Sequence, residues 1–152
     1  MPRGQRRLPE ACEREIAAAD MLLHLGDFCE RPVLESLQRI GPPVVAVHGN
    51  VDSAELRELL PQRRCLVVER IRIGLVHDAG PRSGRLERLR DRFPATDVVF
   101  FGHSHMPLHE RASDFEIFNP GSPTERRRAP AGSMGIAEIH DGAIRLRHLT
   151  LG

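Results

Sequence analysis

Four short apolar runs in this chain each stop at a polar signature. Residues 21–25 run into Gly26-Asp27, and residues 44–47 into His48-Gly49-Asn50-Val51-Asp52. Residues 73–76 run into His77-Asp78, and residues 98–101 into Gly102-His103-Ser104-His105. Apolar runs this short, bounded by turn residues, read as strands buried on both faces. Such strands belong to an α/β sheet covered by helices. In open α/β sheets, ligands bind beyond the carboxyl ends of the strands. The same four breaks that set the fold class therefore mark the place to look for chemistry.

Helical patterns fit between the runs. Residues 9–19 repeat Leu8, Cys12, Ile16 and Ala19 at helical spacing, with Pro9 suited to the first helical position. Residues 31–40 are helical and end at Gly41-Pro42-Pro43. Asp52-Ser53-Ala54-Glu55 has the capping-box form, with Asp52 as the expected cap of a helix to about residue 60. A further helix over 82–93 is basic on its outer face. Residues 65–69 and 71–76 read as paired strands, and 115–119, 135–139 and 143–149 as later ones, with Asp141-Gly142 as a hairpin turn. The early half reads as parallel and the later half as antiparallel. With 152 residues and no repeat, linker or low-complexity segment, residues 1–152 are expected to form a single domain.

Composition narrows the function classes. Aromatic content is 4%, with neither Trp nor Tyr, which argues against stacking platforms for single-stranded nucleic acid. A net charge of +1 offers no global field to recruit DNA or an anionic membrane. Basic residues at 82–92 and at Arg126-Arg127-Arg128 are interrupted by Glu87, Asp91 and Glu125, so a nucleic-acid partner is not expected. The arginine triplet reads as a solvated loop, with a phosphate contact as the other reading. Cys12, Cys29 and Cys65 form neither a C-x-x-C pair nor an even set, which points to a reducing cytoplasm. No apolar run reaches the ~18 residues of a membrane span. Arg3, Arg6 and Arg7 precede no apolar segment of signal-peptide type.

The residues at the breaks make a mixed N/O donor set: the Asp27 carboxylate, the Asn50 amide oxygen, and the imidazoles of His77, His103 and His105. Such a set suits Mn, Fe, Zn or Ni better than a purely oxygen-loving ion. On an extended backbone, His103 and His105 at i and i+2 would face one point. Each residue also has a plainer role. Asp27 could cap a helix, Asn50 could occupy a turn, and His77 could be a hydrogen-bonded buried histidine. His24 is expected to pack inside its strand, His48 to line the site or only shape its turn, and His109, His140 and His148 to lie on the surface or in hairpins.

Read in order, HLGD at 24–27, GNVD at 49–52, LVHD at 75–78, GHSH at 102–105 and NPGS at 119–122 resemble the calcineurin-like metallophosphoesterase superfamily. The likeness is to its small bacterial and archaeal phosphodiesterases. It implies a four-layer α/β/β/α sandwich with a two-metal site. Asp27 resembles the carboxylate that bridges the two metals. Asn50, His77 and His103 resemble the other ligands of the second metal, and His105 a ligand of the first. The loop at Asn119 resembles a structural loop near the site. Larger relatives have a histidine after the GN asparagine as a candidate proton donor, and this chain has Val51 there.

The chain departs from the family at its start. The family's first strand ends in D-x-H, which supplies the first metal, and no D-x-H precedes the segment from Pro2-Arg3-Gly4 to Leu8-Pro9. The expected fold therefore lacks its first strand and is N-terminally truncated relative to the family, a start placed too late being favoured over a real truncation. Asp27 is then the only carboxylate among the matched ligands, facing two ions ~3.5–4 Å apart that carry four positive charges. The expectation is one metal ion in this chain rather than two, with Mn favoured.

The resemblance implies hydrolysis of a small-molecule phosphodiester by a metal-bound hydroxide, with Asp27, Asn50 and His103 acting through metal and phosphate. The rival is a non-catalytic scaffold, since the superfamily includes a retromer subunit of this fold. No membrane partner is expected, and homo-oligomerisation is left open.

Overall fold

The computed structural model describes residues 7–152; Arg3, Arg6 and the Pro2-Arg3-Gly4 segment lie outside them. Helix α1 (Glu10–Ala18) begins after Pro9, which takes the N-cap position rather than the first helical one. Then come β1 (Leu22–His24), α2 (Arg31–Gln38), β2 (Val44–Ala46), α3 (Ala54–Leu59), β3 (Arg63–Val68), β4 (Ile71–Val76), α4 (Arg85–Arg92) and β5 (Val98–Phe101). The chain ends with β6 (Leu108–Ala112), β7 (Phe115–Asn119), β8 (Gly132–His140) and β9 (Ala143–Leu151). Strand β6 is absent from the sequence reading because Leu108-His109-Glu110-Arg111-Ala112 is mostly polar. It forms because it pairs antiparallel with β7 at the sheet edge.

Five strands make one sheet in the order β3-β4-β5-β7-β6. Strands β4, β5 and β7 run parallel, and β3 and β6 close the edges antiparallel. Strands β1 and β2 form a separate parallel pair, and β8 and β9 a separate antiparallel hairpin. The hairpin turns on Asp141 (φ 50°) and Gly142 (φ 74°), both left-handed as a two-residue primed turn requires.

Alternation along β5 sorts the core into layers. Val99 and Phe101 pack with Leu89 and Phe93 under α4. Val98 and Phe100 face the other way, into a cluster with Val47, Leu23, Val45, Ile139 and Leu146 from the two smaller sheets. A third cluster joins Ile16, Leu34, Leu37 and Leu56 of the first three helices to Ala46 and Met134. The order is α4, five-stranded sheet, the β1–β2 and β8–β9 layer, then α1–α3, which is an α/β/β/α sandwich. Within the second β-layer, no strand among the described residues joins β1–β2 to β8–β9.

That gap accounts for one departure. The strand expected at 21–25 spans only Leu22–His24 and is half-buried along its whole length. Leu22 N–H donates to Pro43 and the His24 carbonyl accepts from Val47. In a parallel pair the residue between, Leu23, turns its backbone groups to the opposite edge. Of the histidines expected on the surface or in hairpins, His109 is exposed on β6, while His148 in the β8–β9 hairpin is half-buried. His148 stacks on Phe118 at 4.3 Å and its Nε2 donates to the Asn119 carbonyl, while His109 Nε2 lies 2.6 Å from the buried Glu116 carboxylate.

Candidate metal centre

Adjacent parallel strands bring their carboxyl ends to one rim of the sandwich. Register pairs Val76 with Phe101, so His77 and Gly102 follow side by side, and Gly102 N–H donates to the His77 carbonyl at 2.9 Å. Across the layer, register pairs His24 with Ala46, so the loops carrying Asp27 and Asn50 leave together. The donors of the site thus come from two sheets that face each other.

Four donor atoms converge there. His77 Nε2 lies 3.3 Å from Asp27 Oδ2 and 2.9 Å from Asn50 Oδ1. His103 Nδ1 lies 3.2 Å from Asn50 Oδ1 and 3.2 Å from His77 Nε2. Two atoms each about 2.1 Å from one ion and at right angles stand roughly 3 Å apart. These separations are therefore those of neighbouring ligands. Asp27, His77 and His103 do not surround a point by themselves among the described residues; the Asn50 oxygen lies against both histidines, and Asp27 meets the set through His77.

The chemistry of the set favours a cation. His77 Nδ1–H donates to the Leu25 carbonyl at 2.6 Å, which leaves Nε2 with its lone pair toward the Asp27 and Asn50 oxygens. Three acceptors in contact need a proton or a positive ion between them. Burial alone would push the His77 pKa down, but the Asp27 hydrogen bond and charge, with the Leu25 carbonyl, raise it. Burial likewise opposes ionisation of Asp27, yet His77 and the Val51 N–H hold its carboxyl down at about 2. Asp27 and His77 are 7% and 6% exposed, so little water competes for these contacts.

His105 stands apart. His103 and His105 both have left-handed backbones (φ 67° and 60°), so the extended geometry that would aim both rings at one point does not form. His103 turns to Asn50 and His77. His105 lines the same cavity of about 160 Å³ but donates Nδ1–H to the Glu125 carbonyl at 2.5 Å, so Nε2 is the nitrogen that could meet a metal. Burial, then the charge of Arg127, pushes its pKa down. His24 packs as expected: it stacks on Phe28 at 3.7 Å, accepts the Gly26 N–H, and burial pushes its pKa down to about 3. His48 only approaches its neighbouring Gly49 carbonyl, and Asp78 accepts the Gly80 N–H within its own turn.

Asp52 is the residue the sequence reading misplaced. Ser53, not Asp52, caps α3, accepting the Leu56 N–H at 3.3 Å. Asp52 is 5% exposed and clamps both loops: Oδ2 accepts from Asp27 N at 3.0 Å and Gly49 N at 2.6 Å, and Oδ1 from Cys29 N at 2.8 Å. Asp52 stands three residues ahead of Glu55 and Ser53 three ahead of Leu56, so the sequence offers two neighbouring caps and spacing alone does not separate clamp from cap. Arg57 adds a second strap, donating to the Asp52 and Asn50 carbonyls. Gly49 has to be glycine, since a Cβ there would meet Asp27 Oδ1 at 2.1 Å. Asn119, fully buried, donates to the Gly102 carbonyl and Ser104 hydroxyl at 3.0 and 3.1 Å, which fixes the turn carrying His103.

Comparisons with known proteins converge on the same reading. Residues 4–142 match the calcineurin-like phosphoesterase superfamily domain. A probable metallophosphoesterase of Methanocaldococcus jannaschii is 37% identical over 137 residues, covering 88% of this chain and 68% of that protein. The phosphodiesterase YfcE of Escherichia coli K12 is 32% identical over 119 residues, covering 73% and 61%. Among solved structures, a Thermotoga maritima protein superposes with a TM-score of 0.74 at 29% identity, over 95% of this chain and 88% of that one. Vps29 of Entamoeba histolytica, solved with Zn2+, superposes at 0.77 with 19% identity, over 99% and 93%, a likeness of fold. With a domain match spanning most of its length and its motifs gathered at one rim, this chain belongs to the calcineurin-like phosphoesterase superfamily.

Proposed function

We propose that this chain carries a metal-dependent phosphoesterase centre that hydrolyses phosphodiesters. The observation that carries the reading is the convergence on His77 Nε2 of the Asp27, Asn50 and His103 donors, at 3.3, 2.9 and 3.2 Å. These four would hold one divalent ion, with Asp27 placed to share a second and His105 Nε2 to meet that second ion. Because Asp27 is the only carboxylate in the set, one ion is expected to bind firmly and the other weakly. The mixed set suits Mn, with Zn, Fe or Ni as substitutes.

A bound divalent ion brings the pKa of a coordinated water to about 7 and neutralises charge on phosphoryl oxygens. The chain's own residues do the rest. The Leu25 carbonyl fixes the His77 tautomer, and Asp52 fixes the backbone from which Asp27 projects. Val51 has no proton to give, so a leaving alkoxide is protonated from solvent rather than from position 51. Family membership supports a phosphoesterase, and the name of the Escherichia coli relative supports diesters as substrates.

The test is Mn binding by titration calorimetry, together with hydrolysis of bis(p-nitrophenyl) phosphate. It uses this chain and a version extended by an N-terminal strand ending in Asp-x-His. Asp27→Ala is expected to lower hydrolysis at least about a hundredfold and to weaken Mn binding. Absence of both Mn binding and hydrolysis in both versions would overturn the reading in favour of a protein-interaction role.

A further inference from the structure

The loop from Pro120 to Gly132 walls the donor cluster and ends in a charged depression that the centre as described does not use. The loop is tied to both histidines of the GHSH turn: Glu125 accepts His105 Nδ1–H, and Arg127 Nη1 donates to the His103 carbonyl at 2.9 Å. Its base is pinned by Ser133, whose N–H donates to Ser122 and whose hydroxyl donates to Pro120. Ala129, 4% exposed, anchors its tip, and Ala129 N–H closes a turn on the Arg126 carbonyl.

This turn presents two guanidinium groups. Arg127 adopts a left-handed backbone (φ 47°), uncommon outside glycine, asparagine and aspartate. Arg126 and Arg127 each commit one nitrogen to a carbonyl, Pro130 and His103 respectively, and both side chains are exposed. They line a depression with Thr124 and Glu125, two cations against one carboxylate. Pro123 and Thr124 line both this depression and the cavity holding Asp27, His77 and His103, so the two adjoin across these residues. Thr124 Oγ1, in the shared wall, is buried and has no hydrogen-bond partner among the described residues. A planar guanidinium held by one nitrogen keeps its remaining N–H groups for an oxyanion, which it binds through charge-assisted hydrogen bonds.

We propose that this depression is a subsite for a second anionic group of the substrate, so that the preferred diester carries a phosphate or carboxylate next to the scissile phosphate. The proposal rests on the phosphodiesterase reading for its activity arm, but its binding arm does not. In that arm, inorganic phosphate is titrated into the metal-free full chain while the arginine Nε–H signals are followed by NMR. The Arg126 and Arg127 signals are expected to shift saturably in the native protein, and the phosphate affinity to fall about tenfold in Arg126→Gln/Arg127→Gln, the scale of a lost hydrogen bond to a charged group.

In the activity arm, Mn-loaded protein is offered methyl p-nitrophenyl phosphate and an analogue whose alkyl half ends in a phosphate. The double variant is expected to reduce the kcat/KM preference for the doubly anionic analogue about tenfold. This ratio is insensitive to general damage from loss of the His103 carbonyl contact. An unshifted arginine signal, or a preference ratio the variant leaves unchanged, would overturn the subsite. Hydrolysis of neither compound would count against the phosphodiesterase reading, while the phosphate titration would still decide the subsite.

Discussion

The two β-layers of this molecule are built from similar apolar runs and end in similar loops, yet they differ in how completely they are held. Every residue of β5 and β7 is buried, and both strands have neighbours on each side. No residue of β1 is fully buried, and its only strand partner among the described residues is β2. The continuous sheet positions His77 and His103 through strand register. The divided layer positions Asp27 and Asn50 mainly through side chains in its loops, with Asp52 and Arg57 doing what further strands do elsewhere. A half-supported sheet can still aim a donor when a buried carboxylate collects the stray N–H groups of its loops.

The largest test of this contrast is truncation within each layer. Phe118→Ala, in the continuous sheet and stacked on His148, is expected to cost about 3–5 kcal/mol in urea unfolding. Leu23→Ala, in the divided layer, is expected to cost roughly half of that because the site is already open to water. Equal costs would erase the distinction between the layers. Asp52→Ala comes next. It strands three N–H donors and is expected to cost on the order of 2–3 kcal/mol, and to lower Mn affinity about tenfold or more while leaving the donors themselves in place. An unchanged Mn affinity would mean that the β1–β2 pair positions Asp27 without the clamp.

The smallest effect lies at the other end of the continuous sheet, where Asp97 joins the starts of β4 and β5. Its carboxylate accepts the Arg72 N–H and guanidinium, which, led by the Arg72 hydrogen bond, lowers its pKa. A carboxyl group with a lowered folded-state pKa contributes stability at neutral pH that is lost as the pH falls below the usual carboxylate range. Asp97→Asn is therefore expected to cost under about 1 kcal/mol at pH 7 for this partly exposed pair, and the gap between native and variant should close toward acid. A gap that widened toward acid would show that Asp97 is not held ionised by Arg72.

Much of this was legible in the sequence. Residues 98–101 and 115–119 form strands as read, the first because a fully apolar run has one stable burial and the second because Phe115, Ile117 and Phe118 outweigh Glu116 and Asn119, which find partners inside. Residues 52–60 and 82–93 give shorter helices, since Ser53 and Gly84 take the capping positions. The donor residues were legible because glycine and histidine interrupt apolar runs at the strand ends. The roles of Asp52, His148 and Arg127 were not, because each depends on a partner 23 or more residues away.

The sequence by itself determined the α/β class, the family likeness, and the identity of Asp27, Asn50, His77, His103 and His105 as candidates, since periodicity and turn chemistry are local properties. Only the tertiary structure decided which of them meet. Two histidines two residues apart went separate ways because left-handed backbones, not an extended strand, carry them. Asp27, Asn50 and His103 came within 3.3 Å of His77 Nε2 because parallel register and the Asp52 clamp set distances that no sequence spacing encodes.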